Sequence, residues 1–398
     1  MKIAFLCNYS LIYLNNKLKL DLNKKNFHPT TWIKYLIDEF KNRSNFNLYI
    51  ITVSPYIKKT IKLEDNNIKY YIIKSGVPIL NKGYPNYFRF DVFTNYFIIR
   101  KKILKILENE NFDIVIAHGT EDVFSYTLNE YKGLKITWIQ GLIHSLFKQD
   151  KSAWIKKQLF FEKEVFRKQK YFILNIPLFD YIIKKENKNA RIFYLSYPIS
   201  PLAFNIEQTD KKFDISFAGF LIKRKGVEDI IEAIRIIKSK KKDIKVNLIG
   251  GYSSQNYLNF LKQKVKDYGL EDNIFFGGYL ISHEEVLRQM SLSKIFLFPT
   301  YMDTGPRSVA ESLAMGIPVV AYKIDALPWM LGNNERGLLV EKGDIEGLAE
   351  CCNLLLDNSD LRKKMGENGK IFSKNNFYPT IVVDKLIKIY NELLGEKS

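Results

Sequence analysis

The feature that most constrains this chain is a repeated alternation of short, wholly apolar runs with longer amphipathic stretches. In the first half the runs fall at 3–7, 48–53, 114–117, 136–139 and 171–174. Helical spacing separates them, at Trp32, Tyr35, Leu36 and Phe40 and across 95–109 and 152–168. Runs without polar alternation read as strands buried on both faces, and strands divided by helices predict a parallel sheet with helices on each side. Residues 196–212 lose the pattern and hold Pro198 and Pro201, as a linker would. The alternation then resumes, with runs at 215–218, 246–249, 274–276, 295–298 and 318–321 and helical stretches at 226–238, 255–268, 284–291 and 306–315. The expected architecture is α/β, with two Rossmann-like units in tandem. Their bounds are set at 1–200 and 201–378, and an apolar-faced helix closes the chain at 379–398. Ligands of open parallel sheets bind outside the carboxyl ends of strands, so the site is expected in the cleft between the units.

A length of 398 residues suits two domains better than one core. The apolar runs are too short to cross a membrane, and the stretch 3–7 stops at Asn8, too soon for a signal peptide. Three cysteines form no disulfide framework and no zinc spacing. A cytoplasmic protein is expected. Charge is placed unevenly. Residues 1–200 hold 33 basic and 17 acidic side chains, whereas residues 201–398 hold 28 and 26. The first half should therefore attract something anionic, such as nucleic acid, an anionic membrane surface or a phosphate-bearing acceptor.

The sharpest motif runs from Pro299 to Pro318. A strand ends, a loop carries Asp303, and Gly305-Pro306 opens a helix whose first turn contains Arg307 and Ser308. Proline suits the first helical turn, and the free amides there can hold a diphosphate with help from the helix dipole. Glu311 lies one to two turns into that helix, so it can project beside the loop carboxylate.

This block resembles the retaining family-4 glycosyltransferases of the GT-B fold, whose pattern sets seven residues between an acid and a Glu, with Gly-Pro-type residues just after the acid. Ala314-Met315-Gly316-Ile317-Pro318-Val319-Val320 matches the way that pattern ends. The first acid is usually Glu, so Asp303 is a departure, one methylene shorter. Upstream, the segment from Phe217 to Val227 is similar to the family's diphosphate-gripping Gly-Arg-Leu…Lys-Gly element. Gly219 and Lys225 match it, Phe220 stands at the usual Arg position, and Arg224 is the candidate substitute. Gly250, Gly277, Gly278 and the helix start Ser282-His283-Glu284-Glu285 follow the family order, and Tyr279 and Leu280 occupy the nucleobase positions. In the first half, Asp113 to Glu121 resembles the family's Asp-Ile-Val-His-x-His-Gly strand end, which makes His118 a site candidate. Gln140 stands at the next strand end, where many relatives place a histidine beside the donor sugar. His28 is an acceptor-side candidate, and His144 is a guess.

The resemblance implies a retaining transfer from a nucleotide-sugar donor, UDP-sugar favoured, to a glycan or lipid-linked acceptor in surface polysaccharide or lipopolysaccharide synthesis. It implies catalytic roles for Asp303, Glu311 and Lys225. Donor contacts would come from Gly219, Arg224, Lys225, Gly250, Tyr279, Leu280, Gly305, Pro306, Arg307, Ser308 and Glu311. The leaving diphosphate would help deprotonate the acceptor, so cations rather than a metal would stabilise it. No cofactor, no metal and no nucleic-acid partner are expected. The last helix, apolar at Ile381, Val382, Leu386, Ile389, Tyr390 and Leu393, would cross back to the first unit and help set the angle between domains.

Other readings stay open at this level. One is a GT-B sugar-nucleotide epimerase or inverting transferase, which would need a base in the first unit. Another is a non-catalytic, basic glycan- or nucleic-acid-binding protein. Residues 148–170 also admit two readings: a core-facing helix with a solvated lysine face, slightly favoured, or an interfacial helix on anionic lipid that would make the enzyme peripheral on the plasma membrane.

Overall fold

The computed structural model describes residues 1–18, 31–75, 94–120, 123–143, 153–206 and 210–396. His28 and His144 fall outside them. The chain divides into two compact units, Met1–Pro198 joined by Val382–Ser398, and Ile199–Ile381.

The first unit is built on strands β1 (Lys2–Leu6), β2 (Asn47–Ser54), β3 (Ile61–Asp65), β4 (Ile68–Lys74), β5 (Ile114–His118), β6 (Lys135–Ile139), β7 (Tyr171–Leu174) and β8 (Arg191–Tyr194). Their order in the sheet is β3-β4-β2-β1-β5-β6-β7-β8. Successive side chains of a strand point to opposite faces, and both faces are buried here. Ile3, Phe5 and Cys7 join one core with Leu36, Ile37 and Phe40, whereas Ala4 and Leu6 join another with Ile99, Ile103 and Leu107. The expectation of a purely parallel sheet needs one correction, because β3 runs antiparallel to β4. Asn66 and Asn67 join them at φ of +48° and +64°. Asn tolerates the left-handed region, and two such residues make the tight hairpin turn that right-twisted strands prefer.

The helix Pro379–Gly395 belongs to this unit through most of its length. Val382, Val383, Leu386, Tyr390 and Leu393 are fully buried in the core that contains Phe5 and Phe40. Arg43 pairs with Asp384 at 2.7 Å, and Arg191 pairs with Glu392 and Glu396. Each fully buried aliphatic side chain contributes roughly 1.5–3 kcal/mol, which far exceeds what exposed ion pairs add.

The helix Ala153–Lys168 turns its apolar groups inward. Ile155, Phe161, Val165 and Phe166 are buried, and Phe160 is exposed. Arg167 pairs with Glu186 at 2.8 Å and Lys168 with Glu164 at 3.0 Å. Among its described side chains most of the large apolar ones pack inward, which supports the core-facing reading of this segment.

The second unit is wholly parallel. Its strands β9 (Phe213–Ala218), β10 (Val246–Ile249), β11 (Ile274–Gly278), β12 (Ser293–Phe298), β13 (Val319–Tyr322) and β14 (Gly337–Val340) lie in the order β11-β10-β9-β12-β13-β14. Strand order therefore reverses between β9 and β12. In doubly wound sheets that reversal opens a crevice at the carboxyl ends, where ligands bind.

Candidate active site

The reversal point of the second unit is where the chemistry-bearing residues gather. After β9 the chain makes one tight turn, Lys223–Lys225, and enters the helix Val227–Lys238 through Gly226 at φ +67°. A β-carbon on Gly226 would lie 1.9 Å from the carbonyl oxygen of Pro299, so only glycine lets this turn sit against the end of β12. The two loops are then stitched together. Tyr301 N–H donates to the Arg224 carbonyl at 2.9 Å, and the Arg224 guanidinium donates to the Met302 carbonyl at 2.7 Å.

This stitching brings Lys225 onto Asp303. The ammonium pairs with Oδ2 of the carboxylate and lies 4.9 Å above the Phe298 ring. Asp303 is fixed on its other sides as well. Its Oδ1 accepts from Gly305 N–H at 3.3 Å, and its own N–H donates to Asp325 Oδ2 at 2.9 Å. Burial, together with the nearby Asp303 charge, pushes the Asp325 carboxyl above its usual range. The helix Arg307–Ala314 follows, with Pro306 as its N-cap in an extended conformation and no cap bond from the Pro306 side chain. Proline thus precedes the first helical turn rather than occupying it. Backbone amides and the dipole at such a helix start suit an anion.

Glu311 is 3% exposed. Its Oε1 accepts from Arg307 Nη2 at 3.4 Å and lies 3.0 Å from His283 Nε2. His283 opens the helix His283–Ser291, capped by the Ser282 hydroxyl. That helix follows the loop of Tyr279 and Leu280, and Tyr279 is 75% exposed. Gly250 closes the floor of the site at φ +145°, with space for a β-carbon excluded by the Gly219 carbonyl. Behind the loop, Asp229 Oδ2 accepts from the Tyr301 hydroxyl at 2.7 Å and from the Tyr322 hydroxyl at 2.6 Å. Burial and then the Asp229 charge push the Tyr301 phenol up to about 12, so it stays a donor.

In the first unit, Cys7, Asn8, Trp32, His118, Gly119 and Gln140 line a small pocket at the strand ends around β1 and β5, again where strand order reverses. His118 is 7% exposed. Its Nδ1 is 2.9 Å from the Tyr197 hydroxyl, and its Nε2 has no partner among the described residues. Burial lowers its pKa to about 3, so the ring is neutral at physiological pH. Among the described residues no group of three or more His, Cys, Asp or Glu could hold a metal ion, and no helix is long and apolar enough to cross a membrane.

Residues 201–372 match the family described as glycosyl transferases group 1. An uncharacterized glycosyltransferase of Methanocaldococcus jannaschii is 26% identical over 383 residues, covering 90% of this chain and 94% of that protein. The second unit of this chain carries a group 1 glycosyltransferase domain. The capsular polysaccharide biosynthesis glycosyltransferase CapM of Staphylococcus aureus is 28% identical over 192 residues, which span 47% of this chain and 48% of CapM. The Anabaena protein HepE, solved in complex with UDP, shares the fold at 14% identity, with a TM-score of 0.70 over 98% of this chain and 100% of that one. The fold is accordingly GT-B, with two Rossmann-like domains.

Within this glycosyltransferase, the structure places Gly219, Arg224, Lys225, Gly250, Gly305, Pro306, Arg307, Ser308 and Glu311, the candidates of the motif, at or near the reversal point of the second unit. Phe220, at the usual Arg position, is half exposed. Two sets of residues were missed. His283 was read only as part of a helix start, although its contact with Glu311 joins the site. Asp229, Tyr301 and Tyr322 carry no motif, and only the folded chain shows them as one network.

Proposed function

We propose that this glycosyltransferase moves a sugar, with retention of configuration, from a nucleotide-sugar donor to a glycan or lipid-linked acceptor in surface polysaccharide synthesis. The observation that carries the reading is the Lys225–Asp303 pair beside the start of the helix Arg307–Ala314. A cation and a set of backbone amides converge where a diphosphate would sit, and a carboxylate stands within reach of its sugar. UDP is favoured as the nucleotide because the similar Anabaena protein is in complex with UDP. A glycan acceptor is favoured because CapM acts in capsular polysaccharide biosynthesis.

In the proposed reaction the bond between the anomeric carbon and the diphosphate oxygen breaks through an oxocarbenium-like state. The acceptor hydroxyl attacks the same face, and its proton passes to the departing diphosphate. Lys225 and the helix amides stabilise the charge that grows on that group, and Arg224 holds the loop that carries Asp303. Asp303 has carboxylate lone pairs left for donor sugar hydroxyls, which fixes the anomeric carbon. Glu311 accepts from the ribose, while Tyr279 and Leu280 meet the base. On the first unit, neutral His118 and Gln140 offer hydrogen bonds to a sugar hydroxyl without titrating. A thermal-shift screen with UDP-, GDP- and ADP-sugars, followed by the anomeric configuration of the product by NMR, tests this reading. Stabilisation by a UDP-sugar and a retained anomer support it, whereas an inverted anomer overturns the proposed mechanism.

A further inference from the structure

We infer that His283 is a positioning residue that orients Glu311 for the donor ribose and so sets the preference for a ribonucleotide. The inference rests on the nucleotide-sugar reading above and adds a residue to it. A carboxylate as buried as Glu311 needs partners, and two nitrogens approach it, both at Oε1. Arg307 is four residues away on the same helix and reaches Oε1 only at 3.4 Å. His283 comes from a different helix and makes the shorter contact, at 3.0 Å. Its Nε2 carries the proton in this contact, since a carboxylate only accepts.

The consequence lies on the other oxygen. A carboxylate offers about four acceptor sites, and the two donors fill those on Oε1. Oε2 takes no donor from the described residues, which leaves room for the two hydroxyls of a ribose. Anchoring Oε1 from outside the helix stops the carboxylate from rotating, so Oε2 keeps one direction. His283 is itself held by the start of its helix, where the Ser282 hydroxyl accepts from Glu285 N–H. The loop of Tyr279 leads directly into that start. The connection expected to meet the base therefore also carries the residue that aims the ribose acceptor.

Calorimetric titration of the full chain tests this. The probes are whichever of UDP, GDP and ADP the wild type binds most tightly, and its 2′-deoxy counterpart. The wild type is expected to prefer the ribonucleotide by roughly tenfold or more, as befits a hydrogen bond to a charged group. In Glu311→Gln and His283→Ala that preference falls to about threefold or less while deoxynucleotide affinity is kept, and His283→Gln, whose amide can still donate, recovers most of it. If His283→Ala keeps the full preference while Glu311→Gln loses it, the inference fails and the ribose reading stands. If His283→Ala weakens both nucleotides equally, the residue is merely structural and the inference also fails. If the wild type shows no preference or binds none of the three, the ribose reading itself falls, and the inference with it.

Discussion

Lys225 and Asp303, separated by 78 positions in the chain, meet as an ion pair at the point where the strand order of the second unit reverses. Neither side chain is free to drift, because Gly226 and Pro299 press the two loops together and Asp303 is tied to Gly305 and Asp325. Both partners are largely shielded from water, so the pair is stronger than an exposed one and costs more to break singly.

Lys225→Ala removes the cation expected on the leaving diphosphate. Transfer is expected to fall by on the order of 2–4 kcal/mol of transition-state stabilisation, with the far-UV circular dichroism unchanged. Steady-state kcat/KM checks this, and turnover near the wild-type level would contradict the assignment.

Gly226→Ala tests the loop geometry rather than the charge. A residue with a β-carbon must hold φ +67° and displace the Pro299 carbonyl, so stability is expected to drop by about 1–3 kcal/mol. Urea unfolding reads the loss. Nucleotide binding should weaken with it, because Lys225 is the adjacent residue.

His118 is held neutral by burial, with a pKa lowered to about 3. Its imidazole nitrogen resonances are expected to stay constant from pH 8 down to pH 5. A titration near 6.5 would show that the ring is open to solvent. Because the folded value lies below the unfolded one, this group adds stability above about pH 6.5, and that contribution is lost as pH falls toward 3.

Glu110 gives a second acid-sensitive contribution. Burial works against its charge, yet hydrogen bonds from Tyr71 and Lys2 hold its carboxyl down to about 2, against an ordinary 4.5. The stabilisation is present above about pH 4.5 and disappears as pH falls through 2. Glu110→Gln should therefore lower the melting temperature at pH 7 and differ much less from the wild type near pH 2. An equal difference at both pH values would contradict this account of the Lys2–Glu110–Tyr71 cluster.

The last helix matters to the first unit because it fills that unit's core. Leu386 is fully buried, and Leu386→Ala is expected to cost about 2–5 kcal/mol in urea unfolding. A loss below about 1 kcal/mol would mean the helix is only loosely docked.

The donor side was legible because its residues are close in sequence. Asp303, Gly305, Pro306 and Glu311 fall within one loop and helix, and strand-loop-helix geometry alone puts them on one surface. Lys225 was legible through its Gly226 neighbour. His283 was not, because its partner Glu311 lies on another element and a histidine at a helix start carries no signal of its own. The Asp229–Tyr301–Tyr322 network is hidden for the same reason. The β3–β4 hairpin was missed because β3 is a half-exposed edge strand, which shows weak alternation rather than an apolar run. The helix Ala153–Lys168 left two readings open, since a core-facing stripe flanked by lysines has the same pattern as a lipid-facing one.

The central claim is that the second unit breaks a nucleotide-sugar at the Lys225–Asp303 site. It is tested most directly by incubating the purified chain with labelled UDP-, GDP- and ADP-sugars and measuring nucleoside diphosphate release, alongside Lys225→Ala and Asp303→Asn. The account predicts release from a UDP-sugar by the wild type, with and without EDTA, and a loss of at least roughly thirtyfold in both variants. Release from none of the three sugars, or undiminished release by the variants, would contradict it.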